Sequence, residues 1–156
     1  MAAVAGTEPG VTGDEAFMRL ALAAARRAAL AGEPPIGACL VRDGAVIATA
    51  ANAVIAELDI TAHAEVMLIR EACRRGRTLD LSGTVLYSTV EPCAMCQAAS
   101  HYAGIGEIVY AASLADMQAL TGGELGVTVA GPAMRGGCLR TEALSLLRAW
   151  AGGRSA

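Results

Sequence analysis

A chain of 156 residues, 54% of them apolar and carrying a net charge of −3, is long enough to bury a core without disulfide or metal staples. Its apolar runs fall far short of the roughly 20 residues of a membrane-spanning helix, and its acidity asks for no phosphate-rich partner, so nucleic acid is a secondary possibility. Five cysteines, an odd number, argue against a secreted disulfide framework; the N-terminus MAAVAGTEPGVTGDE also lacks the basic start and apolar stretch of a signal peptide, and the expectation is a cytoplasmic soluble protein.

Residues 1–11 are rich in Ala, Gly and Pro and read as a flexible tail, with 12–156 as one domain. Thr12 and Glu15 fit a capping box, and Phe17, Leu20, Ala21, Ala24 and Ala28 keep helical spacing to a stop at Gly32, giving a first helix of about 13–31. IGACLVR, an Asp43-Gly44 turn and AVIATA then make a hairpin. After a polar loop around Asn52, HAEVMLIREACRR is helical to Gly76, where Arg74, Arg75 and Arg77 read as a solvated helix end. TVLYST (84–89) is a strand, CAMCQAASHYAG (93–104) a helix and EIVYAA (107–112) a strand. A Gly-punctuated stretch follows, then GVTVAG (126–131) as a short strand or edge element and TEALSLLRAW (141–150) as a closing helix. Alternation of this kind implies a mixed or partly parallel sheet sandwiched by helices. Cys39, Cys73 and Cys138 sit in apolar or helical patterns and read as small hydrophobes.

The chemistry concentrates in two segments. Pro92 suits the first position of a helix, which places Cys93 and Cys96 on one face of its first turn. Unpaired amides and the positive end of the helix dipole favour thiolate there, which serves a redox pair as well as a metal. His63 and Glu65 open the other helix. One imidazole and two thiolates make a three-ligand set suited to Zn²⁺, with a fourth position left for water. A carboxylate two residues from the histidine is placed to touch that water and carry its proton. The combination H-x-E with P-C-x-x-C is the signature of zinc-dependent base deaminases. A closed structural zinc site or a redox module is the alternative of another class.

On EPPIGACLV, Asn52, TAHAEVMLIREA and LYSTVEPCAMCQAA, the chain resembles the cytidine deaminase-like superfamily, in the branch of guanine deaminases, cytosine deaminases and tRNA adenosine deaminases. The likeness runs from about residue 14 to 112. It implies a three-layer α/β/α sandwich around a central five-stranded mixed sheet, and a homodimer. It also implies that His63, Cys93 and Cys96 hold Zn²⁺ and that Glu65 is the catalytic proton carrier. Asn52 and the backbone at Ala64 would contact the base, and the Glu91 backbone would meet the departing amino group. Tyr102 is a further candidate for base contact, because guanine deaminases carry an aromatic residue on the corresponding helix. His101, five residues beyond Cys96, reads as packed or partly exposed.

The same likeness covers several substrates. Gly104 stands where tRNA-type enzymes commonly have arginine, and the segment after 112 lacks their usual loop, which favours a free nucleobase or nucleoside. Glu91-Pro92-Cys93 is typical of the purine enzymes, while the tail resembles cytosine deaminases more. The expected substrate is a guanine-like purine, ahead of cytosine or aminotriazine-type heterocycles and of the wobble adenosine of tRNA.

Overall fold

The computed structural model describes residues 13–121, with 135–137, 139–141, 144, 145 and 148 beyond them. Helix α1 (Gly13–Leu30) leads into the hairpin β1 (Gly37–Arg42) and β2 (Ala45–Ala51). Helix α2 (Ala64–Gly76), strand β3 (Thr84–Val90), helix α3 (Ala94–Tyr102), strand β4 (Glu107–Ala112) and helix α4 (Leu114–Thr121) follow. The hairpin turns through Asp43 and Gly44, both at positive φ (50° and 75°), the backbone that a two-residue turn between right-twisted strands requires. At the end of α2 the left-handed residue is Arg77 rather than Gly76, and the amides of Arg77 and Thr78 close the helix onto Arg74 and Cys73.

The strands run in the order β2-β1-β3-β4. β1 is antiparallel to both β2 and β3, and β3 is parallel to β4 across the α3 connection. Alternation along each strand divides the core. Ala38, Leu40, Leu86 and Ile108 pack with Leu68 and Ala72 of α2, whereas Cys39, Val41, Tyr87 and Val109 meet Phe17, Met18 and Ala21 of α1. Helix α1 therefore covers one face of the sheet and α2 with α3 the other, the expected three-layer sandwich.

One expectation needs correction. Among the described residues the sheet has four strands, not the five implied by resemblance. After Ala112 the chain leaves the sheet at once: Ser113 and Asp116 form a reciprocal capping box, with the Asp116 amide donating to Ser113 Oγ (3.0 Å) and the Ser113 amide to Asp116 Oδ2 (2.8 Å). The Gly-punctuated stretch thus begins as helix α4. The expected strand at 126–131, Thr12, Cys138 and most of the closing helix at 141–150 lie outside the described residues.

The approach of α1 to the sheet depends on Gly37. A Cβ there would fall on the Ala21 carbonyl oxygen and the Ala25 amide nitrogen. This accounts for glycine directly after Pro34-Pro35-Ile36, where the chain enters β1.

Candidate active site

Both site helices start on a metal-compatible residue. His63 is the N-cap of α2 (φ −68°, ψ 152°) and Cys93 that of α3 (φ −67°, ψ 169°), and neither side chain caps its helix by hydrogen bonding. The two helix starts lie side by side, so His63 Nδ1, Cys93 Sγ and Cys96 Sγ form a triangle with all three edges 3.6 Å. A tetrahedral zinc with Zn–S near 2.3 Å and Zn–N near 2.1 Å separates its ligand atoms by about 3.6–3.8 Å, so the cluster is positioned to coordinate a metal ion and its donor set suits zinc. It is also the one group of three potential ligands among the described residues.

The three groups are electrostatically coupled. The two sulfurs share a proton, and with His63 also hydrogen-bonded this brings Cys93 down to about 4. The same pairing, followed by burial, pushes Cys96 up. His63 is raised, first through its hydrogen bond with Cys93.

Glu65, in the first turn of α2, is only 3% exposed. Ser88 Oγ of β3 donates to its Oε1 at 3.1 Å, and Cys96 Sγ lies 3.5 Å from Oε2. Burial raises its carboxyl above the ordinary range despite these bonds. A carboxyl so held is placed to take up and release a proton beside the three ligands.

Asn52, 4% exposed, ends the hairpin's return and donates its backbone amide to Ile36 O at 2.9 Å. With His63 it lines a cavity of about 570 Å³ whose walls include Pro34, Ile36, Val54 and Ile60, with Met117 and Thr121 contributed by α4. Ala64 is fully buried next to His63. Glu91 directs its carboxylate to α4, accepting from the Leu114 amide at 2.9 Å, and its own amide donates to Ala112 O at 2.7 Å. Tyr102 is 87% exposed at the far end of α3, where its ring meets His101; the structure does not bring it to this cavity. His101 is exposed as well.

Two residues near the site escape a reading by motif. Ser88 sits in a strand and looks like any polar residue there, although its hydroxyl holds Glu65. Glu33, buried between α1 and β1, accepts from the Ile55 and Ala56 amides and from Asn52 Nδ2. The only sequence signal for it was a carboxylate placed directly before two prolines.

A three-layer sandwich that brings one imidazole, two thiols and a buried glutamate to the starts of two adjacent helices defines a zinc-dependent deaminase-type domain. Over residues 11–112 the chain matches the family described as the cytidine and deoxycytidylate deaminase zinc-binding region, and it belongs to that family. It is similar to the tRNA-specific adenosine deaminase of Aquifex aeolicus, with 45% identity over 100 residues that cover 64% of this chain and 66% of that protein. The guanine deaminase of Bacillus subtilis is 41% identical over 103 residues, 65% of this chain and 66% of that protein. The aligned segment thus spans just under two thirds of these relatives' length. An X-ray structure of guanine deaminase from Bacillus subtilis superposes with a TM-score of 0.79 and 35% identity, covering 88% of this chain and 93% of that one.

Proposed function

We propose that the protein is a zinc-dependent hydrolytic deaminase that converts the exocyclic amino group of a guanine-like free purine, or its nucleoside, to a carbonyl with release of ammonia. The observation that carries the substrate class is the cavity of about 570 Å³ ending on His63 and Asn52, of a size that holds one heterocycle between largely apolar walls. The structural likeness to a guanine deaminase supports the same choice.

In this reading His63, Cys93 and Cys96 hold Zn²⁺, which as a Lewis acid makes water a competent nucleophile near neutral pH. Glu65 accepts one proton from the attacking water and passes it to a ring nitrogen. It then takes the second from the hydroxyl of the tetrahedral carbon and hands it to the departing amine, so that the carbonyl forms as the C–N bond breaks and ammonia leaves. Ser88 fixes one carboxylate oxygen at 3.1 Å, leaving Glu65 little rotational freedom. Asn52 holds the base edge within the cavity, with the backbone at Ala64 and Glu91 as further polar partners.

A second reading, deamination of adenosine in tRNA, is favoured by the 45% identity to the Aquifex enzyme. An ammonia-release screen over guanine, cytosine, adenine, their nucleosides and aminotriazines, run with zinc analysis, decides between them. Release from guanine by the zinc-loaded protein is expected. Inosine formation in a tRNA anticodon loop, with none of the small molecules turned over and tRNA binding that weakens steeply with salt, would replace this reading by the second.

A further inference from the structure

Glu33 is a carboxylate only 7% exposed, and it belongs to none of the ion pairs among the described residues. A buried carboxylate without a cation is costly unless N–H donors satisfy it. Here the donors come from one loop. The Ala56 amide donates at 2.7 Å, the Ile55 amide lies 3.1 Å from both oxygens, and Asn52 Nδ2 approaches at a longer 3.5 Å. That loop begins at Asn52, contributes Val54 and Ile60 to the cavity wall, and ends at His63. Its two ends are tied by the Ala53 amide donating to Ala62 O at 3.0 Å. Its far side is fixed independently, with Thr61 and Arg70 both bound to Asp59. The near side, which carries Asn52, is held by Glu33.

We propose that Glu33 is a positioning residue for substrate recognition, acting through Asn52 and the 55–56 backbone rather than on the reacting atoms. The inference rests on the deaminase reading of the site. A carboxylate only accepts hydrogen bonds, so it selects the Asn52 rotamer with Nδ2 turned toward it. The Asn52 carbonyl oxygen is thereby kept for an N–H of the substrate. Pro34 and Pro35, directly after Glu33, line the cavity themselves, and their fixed φ keeps the carboxylate in register with the loop. A purely structural clamp would lower stability without changing how tightly the base is held; a positioning residue changes the affinity.

The test compares Glu33→Gln, Glu33→Asp, Asn52→Ala and the double variant Glu33→Gln/Asn52→Ala, each zinc-loaded, on the base identified by the ammonia screen. Glu33→Gln is expected to raise KM roughly tenfold or more, with kcat within about threefold and zinc content unchanged. Glu33→Asp, which keeps the charge but shortens the reach, should fall between it and the wild type. In the double variant KM should be no higher than in Asn52→Ala alone, because both changes remove one interaction. Hydrogen exchange without substrate should accelerate at the Ile55 and Ala56 amides in Glu33→Gln while the α2 amides keep their protection. A KM within about twofold of wild type, KM effects that multiply in the double variant, or unchanged exchange at 55 and 56 would overturn the proposal. Failure of the wild type to release ammonia from any base would instead sink the deaminase reading. Exchange at 55 and 56 would then decide whether Glu33 holds the loop.

Discussion

The two faces of the sheet are built on different terms. On the α1 face packing is close and polar groups are satisfied: Gly37 lies against the α1 backbone, and Tyr87 is paired with Phe17 (ring centroids 5.3 Å) and with Asp14 (hydroxyl to Oδ1, 2.7 Å). On the α2/α3 face the helices begin without side-chain caps, because the N-cap positions are occupied by His63 and Cys93. An N-cap hydrogen bond is worth about 0.5–2 kcal/mol, so this face gives up stability twice. Helix α4 shows what such a start looks like when no ligand is needed, with Ser113, Asp116 and Glu91 all bonded to its first turn. The same uncapped amides and helix dipoles favour the thiolates that bind metal. Metal bound to the folded state alone would restore what the missing caps forgo.

The largest expected effect isolates the chemistry of the site face from its metal. Glu65→Gln keeps the partner of Ser88 and the three ligands but removes the proton carrier. Ammonia release should fall by roughly 10²–10⁴-fold with zinc stoichiometry unchanged, read by a coupled ammonia assay and elemental analysis. Near-wild-type turnover would show that the proton moves by another route.

Next in size is a change on the opposite face. Gly37→Ala forces a methyl group into the α1 backbone, an overpacking that costs about 1–3 kcal/mol or more. Denaturant unfolding of zinc-loaded protein should show a lowered midpoint, with zinc content retained in the folded fraction. A midpoint equal to wild type would mean that α1 can shift away freely, and the contrast between the two faces would collapse.

A smaller effect, of opposite sign, is expected at the start of α3. Serine is a good N-cap and a poor zinc ligand. Cys93→Ser should therefore lose zinc, yet in the presence of chelator it should unfold at a higher midpoint than chelated wild type, by about 0.5–1 kcal/mol. A chelated variant less stable than chelated wild type would show that Cys93 stabilises the helix start in some way other than by binding metal.

The sequence makes these two faces unequally legible. The ligands and Glu65 stand in two short motifs. A fixed spacing on a helix start gives the Cys93–Cys96 edge directly, while the two edges to His63 are legible only because the pairing of the two motifs is itself a known signature. Helices and strands up to residue 112 follow from periodicity in the same way. The Glu33 clamp is not legible, because its partners are backbone amides 22 and 23 residues away that carry no side-chain signal. Nor was α4, whose capping box at Ser113 and Asp116 is hidden before a glycine-rich stretch. The count of five strands rested on resemblance, and the described sheet has four. Tyr102 was drawn toward the site by resemblance too, while its position at the end of α3 leaves it exposed.

The smallest effect separates the α1 face by its response to alkali. Burial, then the hydrogen bond to Asp14, pushes the Tyr87 phenol up to about 12 from an ordinary value near 10. Cys39, its cross-strand partner on β1, is pushed up to about 11 by burial. A raised pKa means that the folded state keeps its proton when the unfolded chain has lost it. Stability is therefore intact below the unfolded value and falls as pH rises toward the folded one. Tyr87→Phe removes the hydroxyl and its part-buried bond to Asp14, so at neutral pH it should be less stable than wild type by about 0.5 kcal/mol, the low end for one hydrogen bond. Between pH 10 and 12 only the wild type loses stability through this phenol, whereas Cys39 titrates alike in both and cancels. The gap between the two unfolding free energies should thus close as pH rises through that window, and a gap that stayed constant would place the Tyr87 hydroxyl in solvent rather than in the α1 layer.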